Sequence, residues 1–572
     1  MASGRESWNS RVGVILAVSG SAVGLGNFLR FPGQAAQYGG GAFMLAYFFA
    51  FLLIGLPICW AEWTMGRFAG QKGFNSCPGI LNAVASHPSA KYLGIIGVII
   101  PVIIYFYYVI VEAWCLGYSV NFLMGNMNFD GADESGAFFS SFTGMESNGS
   151  AIGFGIQNVG IYLVFVFFIN FVLIYRGLTK GIEFFCTFAM PTLFILAIVI
   201  LIRVLTLGAP NAEIPENNVN NGLGFMWNPG KVVLKENISD EPNVEKWIVV
   251  EEVLGSAAIE RIQAEVDQDS NLILDKVSIW EQLYNPRLWL AAAGQIFFSL
   301  SVGFGIILTY SSYLTAGDDV VLSGLAATSA NEFCEVALGG LITIPAAVAF
   351  LGVSGIAGSL SSTFATGFNV LPMVFSVMPL GVFFGFLFFF LLFLAAVTSS
   401  LSMLQPGIAF LEETLNIKRK QSVAILGLIT AFGCGFVLYF SEDIKALDTL
   451  DFWAGTFLIF VLATIQIIIF GWVMGVEKGM QEAEVGAIIK IPKIFRFIIK
   501  FLCPTALIAI FVMWLLFNVI GLGTGTLDYH VVDLVGSKTE SPNLVAQLSV
   551  LMLLVIAVFI AIVISRVKQY KQ

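Results

Sequence analysis

The residues that could do chemistry in this chain are few and widely spaced. Thr398 and Ser399 lie one turn beyond Ala395 in an apolar run. Helical side chains lean toward the N-terminus while carbonyls point the other way, so both hydroxyls and the Ala395 carbonyl can converge on one spot. Hard oxygens without a carboxylate suit a weakly bound monovalent cation better than a divalent one. The competing behaviour is two hydroxyls that merely bond back to the preceding turn. Two glycine-rich strings also stand out: Ala22-Val23-Gly24-Leu25-Gly26 followed by Asn27, and Ser301-Val302-Gly303-Phe304-Gly305 preceded by Phe298-Ser299-Leu300. A glycine pair lets the chain leave the helix, and the amides and carbonyls this frees cannot be satisfied by hydrocarbon. Either something polar occupies those places, or the glycines only allow close helix packing. Glu62, Glu112 and Glu335 also stand in apolar runs, where a carboxylate is costly. With only His87 and His530, and with scattered cysteines, no disulfide framework or metal-ligand spacing is expected.

The elements that must position these residues are read from composition. Of 572 residues 57% are hydrophobic and 12% charged, enough apolar sequence for about a dozen bilayer-spanning helices. That excludes a soluble enzyme, a nucleic-acid binder and a disordered scaffold. It also excludes an outer-membrane barrel, whose strands would alternate rather than run continuously apolar. Apolar spans are predicted at 11–37, 41–70, 90–124, 158–176, 181–207, 286–315, 321–351, 380–414, 420–441, 446–477, 492–519 and 546–567. The start runs straight into a glycine-rich apolar segment, so no cleavable signal peptide is expected. Arg5, Arg11, Arg67, Lys72, Lys91, Arg176, Lys180, the run 418–420, the cluster 490–500 and the tail 566–571 all fall on one side. Positive charge marks the cytoplasmic face, so both termini are expected inside the cell, in a multi-pass protein of the plasma membrane.

The polar stretch 208–285 then falls outside. It is rich in Asn, Glu and Asp, with an amphipathic patch around 247–266, and is expected to be an extracellular insertion with some helix. The uncharged stretch 352–378 allows two readings, a pair of short helices with a turn or an ordinary external loop. The two glycine-rich strings lie five spans apart, and an odd offset means that the second copy crosses in the opposite sense. Interrupted helices at matching positions of inverted halves point to a transporter binding site.

The stretch 8–70, carrying AVSGSAVGLGNFLRFP, then GGGAF and Glu62, resembles the neurotransmitter:sodium symporters, and among them the bacterial leucine-transporter-like members. The resemblance continues through YFYYVIVEAW (105–114), GQIFFSLSVGFG (294–305), ANEFCEVALGG (330–340), AVTSSLSMLQP (396–406) and LDTLDFWAGT (447–456), in the family's order over most of 5–480. It implies an all-α polytopic membrane protein of 12 transmembrane helices with the leucine-transporter fold. A first five-helix repeat (11–207) and an inverted second one (286–477) would hold broken helices 1 and 6, with two additional helices at 492–567. The implied activity is sodium-driven import of an amino acid.

The resemblance also implies a site. One sodium ion would meet the carbonyls of Gly20, Val23 and Ala395 and the hydroxyls of Thr398 and Ser399. The other would meet the Ala22 carbonyl, the Asn27 amide, Ser299, Asn331 and the substrate carboxylate. Ser299 replaces a Thr common in the leucine-type members, keeping the hydroxyl. The substrate carboxylate would meet the amides of Leu25 and Gly26, at a helix N-terminus, with the Tyr108 hydroxyl. The ammonium group would meet carbonyls of Ala22, Phe298 and Ser299. Monoamine-transporting relatives carry Asp where this chain has Gly24, so the substrate must bring its own carboxylate. Ile104, Tyr108, Phe298, Ser301, Phe304, Ser399 and Met403 would line a largely apolar cavity for a neutral, hydrophobic amino acid. Glu335 shares a face with Asn331 and stands where chloride-dependent relatives have Ser. Surrounded by Tyr47, Gln295 and Ser299, it would replace chloride, and a coupled proton counter-movement through it is a further reading. Glu62 and Glu112 would accept bonds from amides freed at the helix breaks.

For gates, the resemblance pairs Arg30 with Asp451 above Tyr108 and Phe298. On the inner side it sets Arg5 and Trp8 against Ser312, Tyr313, Gln405 and Glu413, where the family usually has Asp. A tenfold sodium gradient is worth roughly 1.4 kcal/mol per ion and 100 mV adds about 2.3. Two ions moved with a zwitterion therefore supply about 7 kcal/mol, enough for roughly 10⁵-fold accumulation. The expected cargo is thus two Na+ and an amino acid, with no organic cofactor, and the expected partner is the bilayer. The alternative function is a transporter-like sensor that binds ligand and sodium without net transport. An enzyme would need a metal cluster, nucleophile–base pair or phosphate loop that the sequence lacks.

Overall fold

The computed structural model describes residues 7–228, 230–238, 246–360, 363–522, 527–537 and 540–571. Arg5 and its immediate neighbours lie outside these residues. Nine helices among them are long and apolar enough to cross a membrane: Gly41–Gly70, Ala90–Leu123, Leu178–Leu205, Val320–Val353, Gly381–Leu415, Arg419–Tyr439, Glu442–Val473, Ile494–Val519 and Leu544–Arg566. A tenth span is the bent pair Arg11–Ala22 and Gly26–Gln37, whose halves meet at 48°. The two remaining expected spans are helical but shorter or divided. Val159–Tyr175 has 17 residues, and Pro286–Leu300 is separated from Ile306–Ser311 by an irregular stretch.

Both glycine-rich strings are therefore breaks. In the first, Val23 leaves the helix with ψ 101, and the chain resumes as a π-helical turn over Gly26–Arg30. In the second, Ser301, Gly303 and Gly305 all take positive φ (54, 78 and 83). Glycine enters that region without penalty, whereas Ser301 does so at a steric cost. A side chain at Gly303 would meet the Ile459 carbonyl at 2.7 Å, and one at Gly305 the Gly97 carbonyl at 2.4 Å. The second break is thus pressed against two other spans.

Gly381–Leu415 packs along the length of Ala90–Leu123, and the two form the buried centre. Close approach of backbones holds the breaks to their surroundings. A Cβ at Gly70 would stand 2.1 Å from the Ser312 carbonyl, and one at Gly339 1.9 Å from that of Asn27. Small residues at such crossings let helices meet by van der Waals contact where lipid supplies no hydrophobic drive. Leu544–Arg566, by contrast, turns Leu551, Leu554, Val555, Val558 and Phe559 outward, as a lipid-facing helix must.

The insertion holds the expected helix and, besides it, a sheet. Its residues 247–266 are a strand followed by that helix. Lys231–Asn237 (β1), Trp247–Val253 (β2) and Leu272–Val277 (β3) form an antiparallel sheet of order β2-β1-β3. Helix Ser256–Val266 contributes Ala258 and Ile262 to a small cluster with Leu234 and Val253. The run Trp-Ile-Val-Val suits a pleated surface better than a helix. The stretch 352–378 follows the first of its two readings. The helix kinks at Gly352 (φ 75), and a second one over Thr366–Val377 brings Gly367 against Leu29, beside the first break.

Gly305→Ala should lower the melting temperature of the detergent-solubilised protein. Its φ alone costs about 1–3 kcal/mol in a residue with a side chain, and the Gly97 contact adds to that. Gly294→Ala, whose Cβ meets nothing within 4 Å, should melt at or above the wild-type temperature.

Candidate functional site

The two breaks face each other. Ser301 Oγ donates to the Ser21 carbonyl at 3.0 Å, tying the ragged end of one broken helix to the other. Around this point lies a narrow cavity of about 20 Å³, nearly closed by its own walls. Ala22, Leu25 and Gly26 line it from the first break; Phe298, Ser299, Ser301 and Phe304 line it from the second. Ile104 and Tyr108 close one side, Ser399 and Met403 the other. Every residue expected at the substrate position therefore borders one cavity. Ser21 and Gly24 border it too; Ser21 carries no sequence signal beyond its place beside the glycines.

The walls show what each break exposes. The Tyr108 hydroxyl faces the Leu25 amide and the Ser399 side chain. A Cβ at Gly24 would stand 3.0 Å from that hydroxyl and 3.1 Å from Ser399 Oγ, so an acid at this position would enter the cavity. The Phe298 ring lies against Gly26, where a Cβ would meet it at 2.8 Å. The lining is polar where the backbone is open and apolar elsewhere.

A hydrogen-bonded chain runs away from the cavity at the expected first cation position. The Gly24 amide donates to Asn27 Oδ1 (2.8 Å), and Asn27 Nδ2 donates to Asn331 Oδ1 (2.8 Å). Asn331 Nδ2 reaches Ser299 Oγ (2.6 Å) and Glu335 Oε2 (3.3 Å). Glu335 is fully buried and also accepts from Tyr47 (2.8 Å), Gln295 and Ser299. The structure thus brings together Asn27, Ser299, Asn331 and Glu335 with the surroundings expected for the last. Each amide oxygen keeps an unused lone pair. Asn27 and Glu335 both sit in π-helical turns, Gly26–Arg30 and Phe333–Gly340, a distortion that often marks functional positions.

At the second expected cation position, Thr398 Oγ1 bonds the Ala395 carbonyl (2.9 Å). Ser399 Oγ stands 3.1 Å from Ala395 O, 3.3 Å from Gly20 O and 3.4 Å from Ser21 O. One hydroxyl proton can serve only one of three carbonyls, so the others face the same spot with lone pairs to spare. Gly20, Ala395, Thr398 and Ser399 are together. The hydroxyl bonds run to Ser21 rather than to Val23, whose part in the group stays an expectation.

The two structural acids divide. Glu62 Oε1 accepts the freed Gly303 amide at 3.3 Å, as expected. Glu112 does not meet a freed amide. It accepts Ser400 Oγ at 2.6 Å and Asn170 Nδ2 at 3.0 Å, because Ser400 and Asn170 present side-chain donors at its level.

The gates also differ in detail. Arg30 lies over the Phe298 ring, 4.4 Å from its centroid. Among the described residues no ion pair within 4.0 Å joins Arg30 to Asp451, which instead accepts Tyr107 OH at 2.6 Å. Inside, Trp8 Nε1 donates to the Tyr310 carbonyl at 3.0 Å with its ring edge-on to that tyrosine. Gln405 links Tyr313 OH to Arg419, and Ser312 Oγ donates to Asn75 Oδ1 (3.1 Å). Glu413 already has partners among the described residues. Its oxygens accept the Asn75 and Ser76 amides, Ser76 Oγ and Tyr570 OH, which fills the roughly four acceptor positions of a carboxylate.

Near Asp451, His530 stacks on Phe452 with centroids 3.7 Å apart and bonds Asp528 at 3.0 Å, with Asp448 at 3.6 Å. Burial would lower its pKa, but bonds to Asp448 and Asp528 and their charges outweigh burial and raise it. The contact therefore stabilises fully below the ordinary histidine range and is lost as pH climbs through the raised value. As pH rises from the ordinary histidine range through the raised value, the wild-type melting temperature should fall toward that of His530→Gln, the gap closing.

Residues 5–141 and 273–571 match the sodium:neurotransmitter symporter family. An uncharacterised sodium-dependent transporter of Methanocaldococcus jannaschii is 26% identical over 515 residues, 88% of this chain and 89% of the relative. Another, YhdH of Bacillus subtilis, is 28% identical across 74% of this chain and 76% of its own length. The crystal structure of MhsT in complex with L-phenylalanine superposes with a TM-score of 0.68 at 27% identity, covering 89% of this chain and 99% of MhsT.

Proposed function

Because the chain belongs to the sodium:neurotransmitter symporter family, a family of sodium-dependent transporters, we propose that it imports a neutral, hydrophobic amino acid together with two sodium ions by alternating access. The single observation that carries this reading is the meeting of two broken helices around one cavity, with Asn27, Ser299 and Asn331 on its polar side.

The roles follow from the chemistry of the walls. The substrate carboxylate takes the Leu25 and Gly26 amides and the Tyr108 hydroxyl, since a helix N-terminus favours an anion. It also completes the shell of the sodium ion at Ala22, Asn27, Ser299 and Asn331, so ion and substrate need each other. The second ion takes the crowded carbonyls at Gly20, Val23 and Ala395 with Thr398 and Ser399. Gly24 leaves the substrate to supply the negative charge, and Ile104, Phe304 and Met403 leave its side chain an apolar slot. The bound L-phenylalanine of MhsT supports a large apolar side chain.

Glu335 is the fixed anion that makes chloride unnecessary, bonded by Tyr47, Gln295, Ser299 and Asn331. The membrane arrangement follows the charge pattern: both termini in the cytoplasm, the sheet-bearing insertion outside, and the two five-helix repeats inverted about the membrane plane. Arg30 with Phe298 closes the outer side and Trp8 with Tyr310 the inner.

The test is uptake of labelled neutral amino acids by proteoliposomes holding the full chain. An inward sodium gradient should drive accumulation, and replacing sodium by choline should abolish it; saturable binding without accumulation would make the protein a sensor instead. Wild-type uptake should be the same in chloride and in gluconate, whereas Glu335→Ser should lose most uptake in gluconate and regain it with chloride. Chloride-dependent uptake by the wild type would remove Glu335 from this role.

A further inference from the structure

Tyr570 is 1% exposed although Lys568 and Gln569 beside it lie at the surface. Its ring packs on Phe74, with centroids 6.0 Å apart. Its hydroxyl donates to Glu413 Oε1 and stands 3.0 Å from Ser76 Oγ. Glu413 closes the end of the helix Gly381–Leu415. Its other bonds run to the Asn75 amide (2.6 Å) and to the amide and hydroxyl of Ser76 (both 2.9 Å). Asn75 in turn accepts Ser312 Oγ, just past Ile306–Ser311, the second half of the broken sixth helix. One tyrosine therefore joins three segments distant in the sequence: the end of the eighth span, the loop 71–76 and, through Asn75, the half-helix behind the cavity.

We propose that Tyr570 is a positioning residue of the inner gate, a latch that holds Glu413 and the loop 71–76 against the half-helix Ile306–Ser311 while the inner side is closed. This rests on the alternating-access reading. It also gives Glu413 a partner of a different kind from the expected arginine. A phenol donates one directed bond and fills a groove with its ring, so its release is a single rupture rather than a screened loss of charge attraction. Opening the inner side separates the half-helix from the loop, and the latch adds the Glu413 bond and the burial of the ring to what that motion must break.

The reporter is native. Cys77 follows Ser76, is a free thiol and is fully buried. In the full chain reconstituted in nanodiscs, the rate at which a soluble maleimide modifies Cys77, read by peptide mass spectrometry, measures how often the pinned loop opens. Tyr570→Phe keeps the ring and loses only the hydroxyl. It should raise that rate about tenfold, the low end of what losing a hydrogen bond to a charged group gives, and Tyr570→Ala should raise it further. Glu413→Gln combined with Tyr570→Phe should add little to Tyr570→Phe alone. In proteoliposomes the sodium concentration for half-maximal uptake should rise in Tyr570→Phe at an unchanged melting temperature. A Cys77 rate in Tyr570→Phe equal to wild type would overturn the latch, since packing alone would then account for the buried ring. If the wild type shows no sodium-driven uptake, the transport reading falls, and the Cys77 comparison still decides whether the latch exists.

Discussion

A backbone amide or carbonyl released inside a membrane has no water to turn to, and the central architecture of this protein answers that constraint twice. At the first break the Gly24 amide finds Asn27 Oδ1, and the Phe28 carbonyl finds Thr343 (2.8 Å). At the second the Gly303 amide finds Glu62. Ser301 and Ser399 reach across to carbonyls of the first helix. What these side chains do not cover opens into one cavity. The site is then the residue of a satisfaction problem, and the amino acid and sodium ions of the proposed function would be the polar partners that complete it.

The charge arrangement follows from the same constraint. A carboxylate in hydrocarbon must be saturated by donors, and Glu335 is, through Tyr47, Gln295, Ser299 and Asn331. Two of those donors are also expected cation ligands, so the fixed charge and the ion share one network. Glu62 stabilises the shape of a break, whereas Glu112 ties together three unbroken spans through Ser400 and Asn170. The three acids look alike in sequence and do different work.

Much of this was legible in the sequence, for a physical reason. Glycine pairs, neighbouring hydroxyls and an acid one turn after an asparagine are local patterns, and each marks a backbone or face whose behaviour is fixed within a turn. Hence the breaks and the Thr398–Ser399 cluster lie where the pattern puts them, and the surroundings of Glu335 where the family resemblance puts them. What stayed hidden depends on distant partners. Nothing near Ser301 signals a left-handed residue, and nothing near Tyr570 signals Glu413, 157 positions away. Arg30 takes the Phe298 ring because a guanidinium stacks as readily as it pairs. The sheet of the insertion also stayed hidden, because β1, β2 and β3 pair across turns that carry no local register signal.

The measurement that bears most directly on this account is equilibrium binding of L-phenylalanine and of phenethylamine to the purified chain, with sodium and with potassium as the only monovalent cation. The amine has the same ring and ammonium group and lacks only the carboxylate. The account requires binding of the amino acid in sodium, little or none in potassium, and none of the amine in either. Equal binding of the two ligands, or affinity indifferent to the cation, would contradict it.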